Sequence, residues 1–114
     1  MRRVILESPY RGGLFRRWLN VRFARACIRD CLMRGEAPIA SHLLYTQRGI
    51  LRDDIEDERK LGIDAGHAWI ASADAMVVYM PGGTVVSPGM NLAIQKARAI
   101  GIPIEFRRLH ETDG

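Results

Sequence analysis

Short apolar runs alternate with segments of helical spacing along this 114-residue chain, and this order constrains the fold more than any other feature. Each apolar run is bounded by glycine, proline or polar residues, which predicts strands over 3–8, 37–41, 74–80 and 102–107. Helical spacing predicts helices within 14–35, 52–73 and 91–100. Parallel strands need crossover helices, so the order predicts an α/β fold: three αβα layers around a Rossmann- or flavodoxin-like parallel sheet of four to five strands.

Length and composition predict one globular domain spanning residues 1–114. Apolar residues make up 47% of the chain and charged residues 26%, which is ordinary for a globular protein. No apolar run approaches the roughly 18 residues that cross a bilayer, and the N-terminus lacks the pattern of a secretory leader. We therefore expect a cytoplasmic protein without a membrane contact, with a frayed polar tail over 109–114.

The spacing of apolar residues in the first predicted helix indicates a buried face that repeats every four residues. The residues of that repeat are Phe15, Leu19, Phe23, Cys27 and Cys31, with Ala24, Ile28 and Leu32 beside them. The second helix is expected to bury Leu61, Ala65 and Trp69. The two cysteines are interpreted as small apolar core residues, with a redox or metal pair as the alternative. No metal site is predicted, because no further cysteine or histidine cluster completes one.

Much of the net charge of +4 lies on the other side of the first helix. The residues concerned are Arg16, Arg17, Arg22, Arg25 and Arg29. Such a helix can meet nucleic-acid phosphates or an anionic partner. A solvated helix face is the favoured interpretation, because no reading helix and no interleaved exposed aromatic residues can be identified. Nucleic acid is therefore a possible partner and not the favoured one.

Three loops follow the carboxyl ends of predicted strands, at 8–13, 41–47 and 81–89. Ligands of open parallel sheets bind at these ends, where the strand order reverses. In the first loop, Arg11 can pair with a phosphate or carboxylate, Tyr10 can stack on a base or sugar, and Gly12 keeps the loop open. His42, at the expected end of the second strand, can hydrogen-bond a ligand or act as an acid or base; a structural hydrogen bond is the alternative.

The third loop ends in SPGM, residues 87–90, at the start of the last helix. Free backbone N–H groups and the helix dipole favour an anion at such a place. Ser87 adds a hydroxyl and Gly89 permits close approach, while Gly83 and Met90 complete the predicted lining. The alternative is an ordinary serine cap on a helix. The segment matches neither a Walker loop nor the dinucleotide fingerprint.

Four stretches taken together resemble the nucleoside 2-deoxyribosyltransferase-like superfamily, nearest to a branch of small bacterial and phage proteins. They are SPYRGG after the first strand, PIASHLL at the second, DERKLGIDAGHAWIASADAMVVY running into the third, and SPGMNLAIQKARAIGIPI after it. The resemblance covers about residues 3–107. It implies that Ser8, Tyr10, Arg11 and Gly12 line a nucleoside or nucleoside 5′-phosphate. It also implies that Ser87 and Gly89 hold the phosphate.

Enzymes of this superfamily cleave the N-glycosidic bond with a glutamate nucleophile and an aspartate acid, and both positions differ here. The glutamate is expected six residues after Ser87, at Ala93, and the aspartate eight residues before Asp74, at Gly66. Neither residue carries a nucleophile or an acid. Successive side chains of a helix point about 100° apart, so a neighbour such as His67 is expected to point away from the face on which Gly66 lies. We therefore predict a nucleoside- or nucleotide-binding protein that lacks the usual catalytic pair.

Two alternatives stay open at this point. One is an active nucleoside 5′-phosphate N-hydrolase or deoxyribosyltransferase with relocated acids, in which Glu58 is the candidate catalytic acid; a helix N-terminal charge is the competing role for Glu58. The other is an interaction or nucleic-acid module that uses the basic helix. The resemblance also implies a homodimer or a larger oligomer, and no cofactor is predicted.

Overall fold

Four parallel strands form one sheet in the structure, a computed structural model that describes residues 1–82 and 86–109. The strands are β1 (Arg2–Glu7), β2 (Glu36–Ile39), β3 (Ala75–Tyr79) and β4 (Ile104–Arg107). Their spatial order is β2-β1-β3-β4, and each neighbouring pair is parallel. The helices are α1 (Leu14–Met33), α2 (Ser41–Leu44), α3 (Glu56–Ala68) and α4 (Pro88–Ile100), with a 3-10 turn at Ile70–Ser72. The predicted three-layer α/β fold with a parallel sheet is confirmed.

The two faces of the sheet are covered by different helices. Residues of α1 pack on one face, where Cys27 and Cys31 belong to the same core cluster as Leu6 and Val77. Residues of α4 pack on the other face, where Met90 and Ile94 belong to the same core cluster as Ile5, Met76 and Val78. Alternate residues of β1 and β3 therefore face opposite helices, as the two-residue period of a strand requires. None of the helices within the described ranges is long and apolar enough to cross a membrane.

The buried face of α1 follows a mixed spacing of three and four residues. Its buried residues are Asn20, Ala24, Cys27 and Cys31. Phe15 is 72% exposed and Leu32 is 51% exposed, so their predicted place on the inner face is wrong. A strict four-residue repeat drifts by about 40° per step around a helix with 3.6 residues per turn, so a repeat that is buried at Cys27 and Cys31 has left the buried face by Phe15. Phe23 and Ile28 remain partly buried against the core.

Both cysteines are free and fully buried, which confirms the prediction that they are core residues. Burial raises the pKa of the Cys27 thiol, with smaller contributions from Cys31 and Asp30. Because the thiolate is the reactive form of cysteine, this environment suits packing and not redox chemistry.

The buried face of α3 also differs from the prediction. Leu61 is 58% exposed and Trp69 is 45% exposed, whereas Gly66 is the buried residue of the helix. The predicted inner placement of Leu61 and Trp69 is therefore wrong. Gly66 packs against Ser41 of α2, because a small residue lets two helices approach closely.

The second strand is shorter than predicted. β2 ends at Ile39, and Ser41 begins α2 where the sequence pattern predicts the end of a strand followed by a loop. A single helical turn has no room for a hydrophobic period, so four residues carry no readable signal of their own. At the other end of the chain, Gly101 closes α4 in the left-handed conformation with φ of 93°, as predicted from its position after the last helical residue.

Candidate functional site

A cavity of about 420 Å³ lies at the carboxyl ends of the central strands. Its walls come from the residues that follow β1, from α2 and the loop after it, from one face of α3, and from the start of α4. The volume falls within the range of small-molecule sites, about 300–1,000 Å³. The fold therefore brings the three strand-end loops singled out from the sequence to one place.

Most of the site residues predicted from the sequence line this cavity. Those that do are Ser8, Tyr10, Arg11, His42, Glu58, Ser87, Gly89 and Met90. Gly12 follows the lining residue Arg11 without contributing to the wall. Gly83 lies outside the residues that the structure describes. The structure thus gathers residues from four separate segments around one cavity.

A hydrogen bond between Ser8 and His42 joins the end of β1 to α2. Ser8 Oγ lies 2.7 Å from His42 Nε2, and Ser8 is only 2% exposed. Burial lowers the pKa of His42 to about 4, so the imidazole is neutral at physiological pH. Within the described ranges, His42 Nδ1 is buried without a hydrogen-bond partner. A neutral ring of this kind suits hydrogen bonding better than proton transfer near pH 7.

Tyr10 and Arg11 form the part of the wall next to this hydrogen bond. The Tyr10 ring meets His42 edge to face with centroids 6.1 Å apart, and the Arg17 guanidinium lies 5.5 Å from the Tyr10 ring centroid. These contacts hold the ring in place, since cations and ring edges favour aromatic faces. Arg11 is exposed, and within the described ranges its guanidinium has no ion pair. Its charge is thus available at the cavity mouth.

Gly12 is required by the close approach of α1. Its φ is 152°, and a Cβ at this position would lie 2.5 Å from Arg16 Cγ and 2.8 Å from Arg16 Cβ. No side chain fits there without moving Arg16. The glycine thus lets the chain turn directly from the cavity wall into the first turn of α1.

The amino end of α4 presents hydrogen-bond donors to the cavity. Ser87 is the N-cap residue, and its Oγ accepts a hydrogen bond from Met90 N at 3.2 Å. The hydroxyl proton of Ser87 stays available, because a hydroxyl donates one hydrogen bond while it accepts others. Serine can therefore cap the helix and contact a ligand at once. With the N–H of Gly89 and the helix dipole, this end of α4 favours an anion.

The wall formed by α3 contains charged groups that are already engaged in the protein. Glu58 Oε1 accepts a hydrogen bond from Arg52 N at 3.0 Å, which ties the preceding loop to the first turn of α3. Asp53 lies between two arginines, 3.9 Å from Arg17 and 4.0 Å from Arg59. Glu58 thus lines the cavity and also accepts a hydrogen bond that stabilises the loop before α3. Its second carboxylate oxygen has no hydrogen-bond donor among the described residues.

His67 also lines the cavity, although the sequence argument placed it off the required face of α3. Burial lowers the pKa of His67, and the charge of Lys96 lowers it further. Gly66 faces α2, and its neighbour His67 faces the cavity. His67 is therefore another neutral hydrogen-bonding group in the wall.

Glu7 is a lining residue that the sequence argument did not select. It is the last residue of β1, next to Ser8, and no described residue forms a hydrogen bond or ion pair with its carboxyl group. Burial raises the pKa of Glu7 to about 8, so the group is mostly a neutral carboxylic acid at physiological pH. A carboxyl residue that directly ends a buried apolar strand is the sequence signal for it.

The two positions at which the resemblance leads one to expect carboxylates, Gly66 and Ala93, have no polar side chain in the cavity. Ala93 is 1% exposed and belongs to the core cluster of α4. Gly66 is buried, and a Cβ there would collide with Ser41 Oγ and lie 2.8 Å from Ser41 Cβ. An aspartate at position 66 would therefore displace α2. The packing of these helices explains why this chain carries glycine there.

Substituting Gly66 with alanine is expected to lower the free energy of unfolding by about 1–3 kcal/mol, as overpacking does in a buried contact. Gly62→Ala in the same helix is the matched control, because its nearest contact is the flexible end of Leu51 at 3.2 Å. We expect that control to be neutral or stabilising, since alanine is the better helix former. Urea denaturation of both variants measures the difference. Equal stability of the two variants would contradict the packing argument.

Comparison with known proteins places the chain in a family without assigning an activity. A comparison with curated proteins found no match. A family model described as a domain of unknown function, DUF7768, matches residues 2–107. The match covers all four strands and all four helices, and so includes every segment that lines the cavity. The chain therefore belongs to the DUF7768 family.

Proposed function

We propose that the cavity binds a nucleoside 5′-phosphate or a closely related nucleotide. The observation that carries this proposal is the division of one cavity into two chemically different ends. Arg11 and Gly89 lie at an exposed rim, while the buried Ser8 and Met90 and the partly buried Glu7 form the floor. A nucleotide has the same division, because its phosphate is charged and its base is not.

The rim supplies what a phosphate requires. Arg11 can donate two parallel hydrogen bonds to phosphate oxygens, and no described ion pair competes for it. Ser87 offers a hydroxyl proton and Gly89 a backbone N–H at the start of α4. Gly89 also leaves open space, since no atom lies within 4 Å of a Cβ built there. These groups supply the donors that a phosphate oxygen accepts.

The remaining wall suits the uncharged part of a nucleotide. Tyr10 supplies an aromatic ring whose position is held by His42 and Arg17. Leu51, in the loop before α3, and Ile63, in α3, contribute apolar surface to the cavity wall. Aromatic and aliphatic walls with a few polar groups are typical of sites for flat heterocycles.

The proposal concerns binding and does not include the two-carboxylate mechanism of the superfamily. Ala93 and Gly66 offer no nucleophile and no acid at the corresponding positions. The resemblance of the loops supports a nucleotide as the ligand, and the packing around Ala93 and Gly66 favours binding over that chemistry. A panel of nucleoside monophosphates incubated with the protein and assayed for free base tests for turnover separately.

Arg11→Ala is expected to weaken nucleoside 5′-monophosphate binding by about tenfold or more, the cost of losing a charged hydrogen-bond donor. Arg25→Ala is the matched control, because Arg25 is an exposed α1 arginine outside the cavity lining. Titration calorimetry with the four ribonucleoside monophosphates and with inorganic phosphate measures both variants. If no monophosphate binds the native chain, or if the Arg25 variant loses as much affinity as the Arg11 variant, the proposed site is wrong.

The two macromolecular partners considered from the sequence stay predictions. Exposed apolar residues cluster at the start of α1, where Leu14, Phe15 and Trp18 are all more than half exposed. They are the surface on which we propose that a second copy of the chain packs. Two arginines of α1 already have contacts within the protein. Arg17 lies beside Asp53, and Arg22 lies over the Trp18 ring. Arg16, Arg25 and Arg29 remain exposed for an anionic partner.

A further inference from the structure

Glu7 combines access to the cavity with a lack of partners inside the protein. Its neighbour in the sheet is Val78, and both residues lie on the face covered by α4, the face that also holds Ile5. The surroundings of Glu7 on this face are therefore apolar. Among the described residues, none forms a hydrogen bond or ion pair with its carboxyl group. Glu7 is partly buried, and an unpartnered carboxyl group in an apolar part of a cavity wall indicates a ligand contact.

Depth separates Glu7 from the groups that suit a phosphate. Arg11 and Gly89 are exposed, whereas Glu7 is partly buried, next to the buried Ser8. A charged phosphate keeps most of its solvation at the rim. The uncharged end of the same ligand then reaches the floor, where a polar group needs a partner of its own.

We infer that Glu7 recognises the nucleobase of the bound nucleotide. Its carboxyl group donates one hydrogen bond to a ring nitrogen of the base and accepts another from the amino group beside that nitrogen. This inference rests on the proposed function and adds the part of the ligand that is recognised. The edges of adenine and cytosine have this arrangement. The residue is thus a specificity determinant of the cavity.

The protonation state of Glu7 supports the donor role. Burial raises its pKa to about 8, so the carboxyl group keeps its proton at neutral pH. A protonated carboxyl group carries one O–H donor beside an acceptor oxygen, whereas an ionised one only accepts. An ionised Glu7 would place an oxygen lone pair against the ring nitrogen of adenine or cytosine. Guanine presents two neighbouring donors and suits the ionised form better.

The other charged and titratable groups around the cavity limit how pH is used as a test. They are Tyr10, Arg11, His42, Tyr45, Asp53, Glu58, Arg59 and His67. Lowered pKa values keep His42 and His67 neutral above pH 7. A ligand phosphate, whose second pKa is about 6, is also fully ionised above that pH. Comparison of the native chain with Glu7→Gln at each pH cancels the contributions of the remaining groups.

The test is titration of adenosine and cytidine 5′-monophosphates into the native chain, Glu7→Gln and Glu7→Leu. We expect the leucine variant to bind at least tenfold more weakly at pH 7, and the glutamine variant to stay within about threefold, because an amide keeps one donor and one acceptor. Between pH 7 and pH 9 the native chain is expected to lose about tenfold in affinity, as its protonated fraction falls, while the glutamine variant keeps its affinity. Glu56→Gln, an exposed carboxylate outside the lining, is the charge-matched control.

Ribose 5-phosphate and guanosine 5′-monophosphate separate the outcomes. Ribose 5-phosphate has no base, so its affinity is expected to be the same for all three chains. An equal loss for ribose 5-phosphate and the nucleotides in Glu7→Leu would overturn base recognition, as would nucleotide affinities that do not change with Glu7→Leu or with pH. Affinity for guanosine 5′-monophosphate is expected to fall less between pH 7 and pH 9 than that for the adenine nucleotide. If none of the nucleotides binds the native chain, the proposed function fails, and this inference fails with it.

Discussion

Glu7→Gln is expected to make the protein more stable than the native chain by up to about 5 kcal/mol at pH 9, and to leave stability unchanged below about pH 4. The pKa of Glu7 is raised from 4.5 to about 8 by burial. A group whose folded-state pKa is raised contributes its full stability below the unfolded pKa, and that stability is lost as the pH rises through the folded pKa. Glutamine has no proton to lose, so the variant escapes this loss.

Urea denaturation at a series of pH values measures this effect in the absence of ligand. The native curve is expected to fall between about pH 4.5 and pH 8 relative to that of Glu7→Gln, and to run parallel to it above pH 8. Glu56→Gln removes an exposed carboxylate of α3 and is the control for the loss of one charge. Parallel curves for the native chain and Glu7→Gln across the whole range would show that Glu7 is solvated, and would contradict the buried acid.

Glu36→Ala is expected to lower the free energy of unfolding by about 3 kcal/mol, the cost of breaking a buried ion pair by removing one partner. Two hydrogen bonds of 2.7 Å join Glu36 to Arg107, and their side chains are only 7% and 8% exposed. Arg2 and Tyr79 also contact this pair. Removal of the carboxylate leaves a buried guanidinium whose remaining acidic partner, Glu105, is 39% exposed.

A double variant tests whether the loss comes from the unpaired charge. Glu36→Leu with Arg107→Met replaces both partners by apolar side chains and is expected to recover most of the stability lost in Glu36→Ala. Hydrogen bonds from Arg107 lower the pKa of Glu36, so the native pair contributes stability above the ordinary glutamate pKa and loses it as the pH falls through the lowered value. Urea denaturation at pH 7 and in acid measures both effects. A double variant no more stable than Glu36→Ala would contradict this explanation.

The order of the strands and of the three long helices, and the location of the cavity, could be predicted from the sequence. Strand periodicity in DAMVVYM and helical spacing before Gly101 are local patterns, and a parallel sheet follows from their alternation. The ends of these strands then identify the loops that hold Ser8, Arg11 and Ser87. Local patterns sufficed here because secondary structure depends on residues that are near in sequence.

The side of each helix that packs against the rest of the protein was predicted less well. Phe15 and Trp69 are exposed because the buried faces of α1 and α3 depend on which neighbours they approach, and α2 has too few residues to show a pattern. The close contact of Gly66 with Ser41 joins two segments that are separated by a long stretch of chain. No spacing rule within either helix indicates such a contact.

The sequence by itself determined the parallel α/β architecture and the segments from which the cavity is built, because both follow from periodicity and from the position of polar loops after apolar strands. Only the tertiary structure decided the chemistry inside the cavity. Glu7 becomes a neutral acid and His42 a neutral imidazole through burial by residues from several elements. A pKa depends on all surrounding atoms, and in this chain those atoms are brought together only when β1, α2, α3 and α4 have packed.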